Sequence, residues 1–249
     1  KSDWLTQGPK VLEFEKALAQ AGQAKYAVAV SSGTAALHLA YQAAELKKGD
    51  EVITTPNTFV ATTNMLLTLG IKPVFSDIRL DTYNLDENKI EKLITSRTKA
   101  VIPVHFAGQP CAIDKILKIA QKHKLVVIED ACHALGASYK KRAIGGISPM
   151  AVFSFHPVKA ITTGEGGAIL TNHPDYYQKL LHLRSHGVTK DSAGFNVMTA
   201  LGYNYRLTDL QAALGLSQLK KLSLFIKQRH QVVQWYQKAL ADTKQIILP

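Results

Sequence analysis

Short apolar, largely β-branched runs alternate along the chain with amphipathic stretches of helical period. Tyr26–Val30, Glu51–Thr54, Pro73–Ser76, Ala100–Val104, Leu125–Glu129, Ala151–Ser154 and Gly167–Leu170 read as strands. Each is only a few residues long, as parallel strands buried on both faces are. Between them the pattern predicts helices over Thr34–Leu46, Thr58–Leu69, Asp86–Ile94 and Ala112–His123, with Asp86 and Asp114 near two of the starts, where the helix dipole favours an acid. Alternating strands and helices predict a doubly wound α/β sheet. From Thr208 the pattern is helical only: Leu210, Leu214, Leu216 and Leu219 form one stripe, and Leu222, Phe225, Ile226, Val233, Tyr236 and Leu240 a second. The chain therefore divides into a large α/β domain, 1–207, and connecting helices, 208–249. No internal repeat and no Pro/Gly/Ser-rich linker interrupts it.

Composition narrows the class. With 46% hydrophobic and 20% charged residues over 249 positions, the chain can bury a sizeable core, which excludes disordered and low-complexity readings. Thirty Lys and Arg against 19 Asp and Glu give a net charge of +11, favouring anionic partners: nucleic acid, an acidic membrane surface or a phosphorylated small molecule. Cys111 and Cys132 make neither a disulfide framework nor a zinc array, so no metal site is expected. No apolar stretch reaches the roughly 18 residues of a membrane span and no signal peptide opens the chain, which predicts a soluble, cytoplasmic protein. The start at Lys1 and the helical run reaching Leu248-Pro249 suggest missing segments at both ends.

Ligands of open parallel sheets bind outside the carboxyl ends of the strands, so the polar residues following each apolar run carry the candidate chemistry. Ser31-Ser32-Gly33-Thr34 leads from a strand directly into a helix, where free N–H groups and the positive dipole end suit a phosphate; an ordinary capped turn has the same sequence. Glu129-Asp130, then His133, places acids at a buried strand end, which calls for a cationic partner, either a ligand or a structural ion pair. Ser154-Phe155-His156-Pro157-Val158-Lys159 sets a lysine among apolar and aromatic residues, although a single lysine is usually surface decoration. Gly164-Glu165-Gly166-Gly167 allows a tight turn beside a ligand or merely a loop before a strand.

Together these features resemble the pyridoxal phosphate enzymes of fold type I: a phosphate-grade turn, a strand-end Asp, and about thirty residues later a lysine followed by a Gly-rich turn. The lysine would form a Schiff base with the cofactor aldehyde, and the Asp would pair with the pyridinium nitrogen. A carboxylate ~4 Å from that nitrogen contributes on the order of 4 kcal/mol before desolvation, so the ring stays protonated at neutral pH.

Trp4-Leu5-Thr6-Gln7-Gly8, Ser32-Gly33-Thr34-Ala35-Ala36-Leu37, Thr58-Phe59-Val60-Ala61-Thr62, Glu129-Asp130-Ala131 and Gly164-Glu165-Gly166-Gly167-Ala168 stand in the order of the DegT-type nucleotide-sugar aminotransferases, which the chain resembles over nearly its whole length. His133-Ala134-Leu135-Gly136, Phe153-Ser154-Phe155-His156, Ile161-Thr162-Thr163, Arg184-Ser185-His186-Gly187 and Leu216-Ser217-Gln218-Leu219-Lys220-Lys221 are most similar to the 4-aminotransferases of pseudaminic acid biosynthesis. The resemblance implies a fold type I, mostly parallel seven-stranded sheet and a small C-terminal domain missing beyond Pro249. It implies pyridoxal 5'-phosphate as cofactor, Lys159 as the Schiff-base lysine and Asp130 as the pyridinium partner. It places Gly33, Thr34 and Ser154 near the cofactor phosphate, Phe59 against the ring and His133 near the ring oxygen. Asn204 would reach the phosphate of a neighbouring subunit, implying a homodimer with shared sites. Trp4, Leu5, Thr6 and Ser32, together with Ser154 and Asn204, would line the sugar-nucleotide site, and residues 185–199 would form a loop nearby. Cys132 is not the commonest residue at its place.

The activity so implied moves the amino group of L-glutamate to the 4-keto carbon of a nucleotide-linked 4-keto-6-deoxy sugar, UDP-linked, or dTDP- or GDP-linked with amination at C3 or C4. A sugar dehydratase of the same fold carries histidine in place of the lysine, so Lys159 speaks against it. The +11 charge leaves a non-catalytic regulator or nucleic-acid binder as the rival. No helix-turn-helix, zinc or aromatic-basic motif supports that rival, so neither nucleic acid nor membrane is expected as a partner.

Overall fold

The computed structural model describes residues 4–243 and 245–248. Seven strands make its central sheet: β1 (Tyr26–Val30), β2 (Glu51–Thr54), β3 (Lys72–Phe75), β4 (Thr98–Val101), β5 (Val126–Asp130), β6 (Met150–Ser154) and β7 (Gly167–Thr171). Their order is β1-β7-β6-β5-β4-β2-β3. Strand β7 is antiparallel to both neighbours and every other pairing is parallel, so the sheet is mostly parallel as expected. Because β1 and β6 both oppose β7, they run in the same direction. The carboxyl ends of β1, β2, β4, β5 and β6 therefore open on one rim, where β7 begins.

The helices are α1 (Pro9–Ala21), α2 (Gly33–Ala43), α3 (Ala61–Thr68), α4 (Ile113–His123), α5 (Pro174–Arg184), α6 (Asp209–Leu219) and α7 (Leu222–Ala239). Helix α2 is starred with buried small residues, Ala35, Ala36, Ala40 and Ala43, which bring its axis close to the sheet between Leu37, Leu39 and Tyr41. On the opposite face α1 inserts Phe14 and Leu18 beside Ala212 and Leu207, and the Phe14 and Phe155 rings meet edge to face at 5.3 Å. Helix α6 lies on α1 through Gly215, where an added Cβ would come within 2.6 Å of the Phe14 ring. Helix α7 leaves this layer: only Leu222 is buried, and Trp235 and Tyr236 are exposed.

Two features differ from the periodicity. Residues Asp86–Ile94 form not a helix but two short 3-10 turns, Glu87–Lys89 and Glu91–Leu93. The Asp86 carboxylate caps the first turn by accepting the Asn88 N–H at 3.0 Å, and the buried Glu87 carboxylate is held by Arg79 at 3.2 Å and Lys115 at 2.9 Å. Helices α1 and α5, conversely, form without having been read from the pattern. A charged residue sits on the buried face of each, Glu15 in α1 and Arg184 in α5, and breaks the apolar stripe.

Those two residues close an edge of the sheet. The Glu15 carboxylate accepts the Ala29 N–H at 2.8 Å, the Arg184 guanidinium donates to the Ala29 carbonyl at 2.8 Å, and the two side chains meet at 2.5 Å. The outward N–H and C=O of Ala29 on the β1 edge are thus satisfied by side chains and unavailable to a foreign strand. The opposite edge strand, β3, carries Pro73, which has no N–H to offer.

Glu15 and Arg184 are each about 5% exposed, so removing one strands the other's charge in the interior. Arg184→Met is expected to lower unfolding free energy by about 3–5 kcal/mol. Replacing both residues by Met should cost less than the single change. Urea titration of the two variants checks both statements.

Candidate active site

The rim is assembled by close backbone approach. At the end of β1 the Ser32 side chain caps α2, accepting the Ala35 N–H at 3.0 Å, so the N–H groups of Gly33 and Thr34 stand in a first turn that has no preceding helical carbonyl to bind. A Cβ on Gly33 would lie 2.9 Å from the Ser154 Cβ and 3.4 Å from the Cys132 sulfur, and one on Gly167 would lie 2.5 Å from the Ser32 carbonyl oxygen. Glycine at both positions lets the start of α2, the end of β6 and the start of β7 meet. The phosphate-grade turn, Ser154 and the Gly-rich segment are therefore one place.

The adjacent acids of β5 have opposite fates. Glu129, fully buried, lies 2.6 Å from His105 Nε2 and accepts the Ser148 N–H at 3.1 Å, while the Cys111 N–H donates to His105 Nδ1. It is a structural group. Asp130 points the other way along the alternating strand and forms no ion pair among the described residues, so of the two cationic partners expected for these acids the structural one is found at Glu129. Thr62 donates its hydroxyl to Asp130 Oδ2 at 2.7 Å, and the Cys132 N–H donates to Oδ1 at 3.2 Å. A carboxylate 6% exposed with two neutral donors and no cation still has acceptor capacity for a positively charged group.

Lys159 sits half-buried in the loop between β6 and β7, its N–H donating to the His156 carbonyl at 2.9 Å and its carbonyl accepting from Arg229 of α7 at 3.3 Å. Its ammonium acts on two neighbours. Partial desolvation, then the Lys159 charge, hold His133 below the ordinary histidine value, against an opposing pull from Asp130. Burial and the Asp130 charge push the Cys132 thiol well up, with Lys159 opposing. Cys132 is therefore a neutral thiol at physiological pH. Lys159, His133, Cys132 and Asp130 share one electrostatic neighbourhood.

Other expected residues lie around this centre. Phe59 is 73% exposed just ahead of α3, and the preceding Thr58 hydroxyl lies 2.8 Å from that of Thr62. Asn204 is exposed and bridged to Ser185, and its neighbour Tyr205 accepts the Ser31 N–H through its carbonyl at 2.8 Å. The segment 185–199 includes a hairpin, Val188–Lys190 paired with Asn196–Met198. Trp4, Leu5 and Thr6 are exposed on the arm before α1, which is anchored where Gln7 donates to the Leu207 carbonyl at 3.1 Å. The contact that composition and spacing missed is Thr62 on Asp130. Its signal was present in the Thr58-to-Thr62 spacing, which sets two hydroxyls on one side of a helical turn.

These residues fit pyridoxal phosphate: a helix N-terminus with Ser154 for the phosphate, a buried carboxylate with spare acceptor capacity for a cationic ring nitrogen, and an amine in the same electrostatic neighbourhood. Among the described residues no cluster has the makings of a metal site, and no helix is long and apolar enough to cross a membrane.

Residues 1–249 match the model of the DegT/DnrJ/EryC1/StrS aminotransferase family, and the chain belongs to that family. Its relatives include the GDP-perosamine synthase of Caulobacter vibrioides, 44% identical over 96% of this chain and 64% of the relative. Among solved structures it is similar to Helicobacter pylori PseC, an aminotransferase involved in the biosynthesis of pseudaminic acid, at 41% identity and a TM-score of 0.93 over 97% of this chain and 65% of that one. It is similar also to NtdA of Bacillus subtilis with bound cofactor PMP, at 35% identity and a TM-score of 0.89 over 97% of this chain and 55% of that one. The chain thus spans roughly two thirds or less of these relatives' length.

Since the Lys159 charge is one of the forces holding His133 down, Lys159→Gln should raise the pH at which His133 titrates while leaving the desolvation contribution in place. NMR titration of the His133 ring in both proteins reads this shift, and an unchanged or lowered midpoint would contradict the placement of Lys159.

Proposed function

We propose that the chain carries the catalytic centre of a pyridoxal phosphate-dependent aminotransferase that moves the amino group of L-glutamate to the 4-keto carbon of a UDP-linked 4-keto-6-deoxy sugar. The observation that carries the proposal is Asp130: a buried carboxylate that forms no ion pair among the described residues, in the same electrostatic neighbourhood as Lys159, with Cys132 against the start of α2. The UDP-sugar assignment is supported by the likeness to PseC, and the 44% identity to a GDP-perosamine synthase keeps the GDP-linked sugar as the second reading.

Each residue then has a task. When bound, pyridoxal phosphate supplies an aldehyde for capture of an amine and a ring that accepts the electron pair left when the donor carbon loses its proton. Asp130 keeps the ring nitrogen protonated by its negative charge, and Lys159 takes and returns the proton at the reacting carbon. Gly33, Thr34 and Ser154 hold the phosphate at the positive end of α2. Phe59 would cover the ring face and His133 would stand near the ring oxygen. Trp4, Leu5, Thr6 and Ser32 line the nucleotide-sugar side, and Asn204 reaches the phosphate of a second copy, so the working unit is a homodimer. The large domain, 1–207, holds the cofactor, and 208–249 leads toward a small C-terminal domain.

Purified protein mixed with pyridoxal phosphate should gain visible absorbance that L-glutamate discharges with equimolar release of 2-oxoglutarate. Lys159→Ala should lower turnover by at least about a thousandfold with unchanged far-ultraviolet circular dichroism. Normal turnover by that variant would sink the proposal. Product analysis with UDP-, GDP- and dTDP-linked ketosugars then chooses the substrate.

A further inference from the structure

We infer that Thr62, oriented by Thr58, is a positioning residue for Asp130: its hydroxyl fixes the carboxylate plane so that the remaining acceptor directions stay aimed at a cationic ring nitrogen. This inference rests on the proposed function for the identity of the ring. Its geometric basis stands by itself.

A threonine hydroxyl has one proton to give. Around Thr62 Oγ1 stand Asp130 Oδ2 at 2.7 Å, Thr58 Oγ1 at 2.8 Å and the Phe59 carbonyl at 3.2 Å. The charged acceptor is also the nearest, so the proton goes to Asp130. The oxygen of Thr62 is then free to accept from Thr58, and donation runs Thr58 to Thr62 to Asp130. A threonine in a first helical turn often satisfies itself on the carbonyl three residues back, but here that contact is the longest of the three. Thr62 is fully buried and its own carbonyl accepts the Tyr41 hydroxyl at 2.9 Å, so α2 and α3 together hold it still. The second anchor of the carboxylate, the Cys132 N–H on Oδ1, is longer at 3.2 Å. Two donors on two different oxygens define a plane; without Thr62 the anchoring left among the described residues comes from Cys132 alone, and the group is freer to turn about its terminal bond.

Valine is the near-isosteric replacement that gives no proton, and serine keeps the proton while losing only a methyl. Two readouts in the purified protein separate positioning from mere packing. Binding is measured for pyridoxal phosphate and for its 1-deaza analogue, in which carbon replaces the ring nitrogen. Thr62→Val should weaken pyridoxal phosphate about tenfold or more and the analogue by less than about twofold, with Thr62→Ser close to the native protein and Thr58→Val intermediate for pyridoxal phosphate only. Equal losses for both ligands, or none for either, would overturn the inference. In cofactor-free protein, the infrared carboxylate band of Asp130, identified by its disappearance in Asp130→Asn, should move in Thr62→Val and stay in Thr62→Ser; a band that stays in both overturns it too. Should the native protein bind neither ligand, the proposed function fails, and the infrared band alone still decides the role of Thr62.

Discussion

A carboxylate at the end of a buried strand must be compensated, and the way Asp130 is compensated organises the site around it. Its neighbour Glu129 is neutralised within the core by His105 and the Ser148 N–H, which removes that acid from any chemistry. Asp130 accepts from the neutral Thr62 hydroxyl and Cys132 N–H and forms no ion pair among the described residues. Burial in a low-dielectric setting strengthens the attraction of this carboxylate for whatever cation arrives. Strand alternation does the sorting: consecutive side chains of β5 face opposite sides of the sheet, so one acid is spent on the core and the next is left with acceptor capacity at the rim.

The second constraint is steric. Helix α2 could not present its N-terminus beside Ser154 unless β6, β7 and its own first turn came within backbone contact, and Gly33 and Gly167 are the positions where a side chain would forbid it. The dipole end of an eleven-residue helix and a serine hydroxyl are thereby delivered to one point on the rim. The alanine-rich face of α2 and the bond from Tyr41 to the Thr62 carbonyl carry the same rigidity across to α3, which holds the donor for Asp130. Anion-binding end and cation-binding carboxylate are fixed to one another through packed helices rather than through mobile loops.

Lys159 is the exception, since it lies on a loop. Its backbone is tied at both ends, by the His156 carbonyl and by Arg229 from α7, while its ammonium remains half-exposed. In the role proposed for it, an amine that leaves and returns to a reacting carbon, Lys159 would need that freedom, and a rigid strand would deny it. The contact from Arg229 also makes the position of α7 matter to the loop.

The sequence by itself determined the strands, because short apolar runs bounded by turn residues have no other stable use in an α/β sheet. The order of Ser32-Gly33-Thr34, Asp130 and Lys159 along the chain also carried the resemblance to the aminotransferase family to which the chain belongs. Helix α1 and helix α5 were not legible, since Glu15 and Arg184 interrupt their apolar faces and pair only once β1 lies between them. Asp86–Ile94 has helical periodicity, yet the buried Glu87 carboxylate and its partners Arg79 and Lys115 hold it as separate turns. Which of two adjacent acids would be spent on the core, and that Thr62 would hold the other, were likewise decided by tertiary structure. Such pairings join residues from 8 to 169 positions apart, and periodicity reports only what nearer neighbours along the chain share.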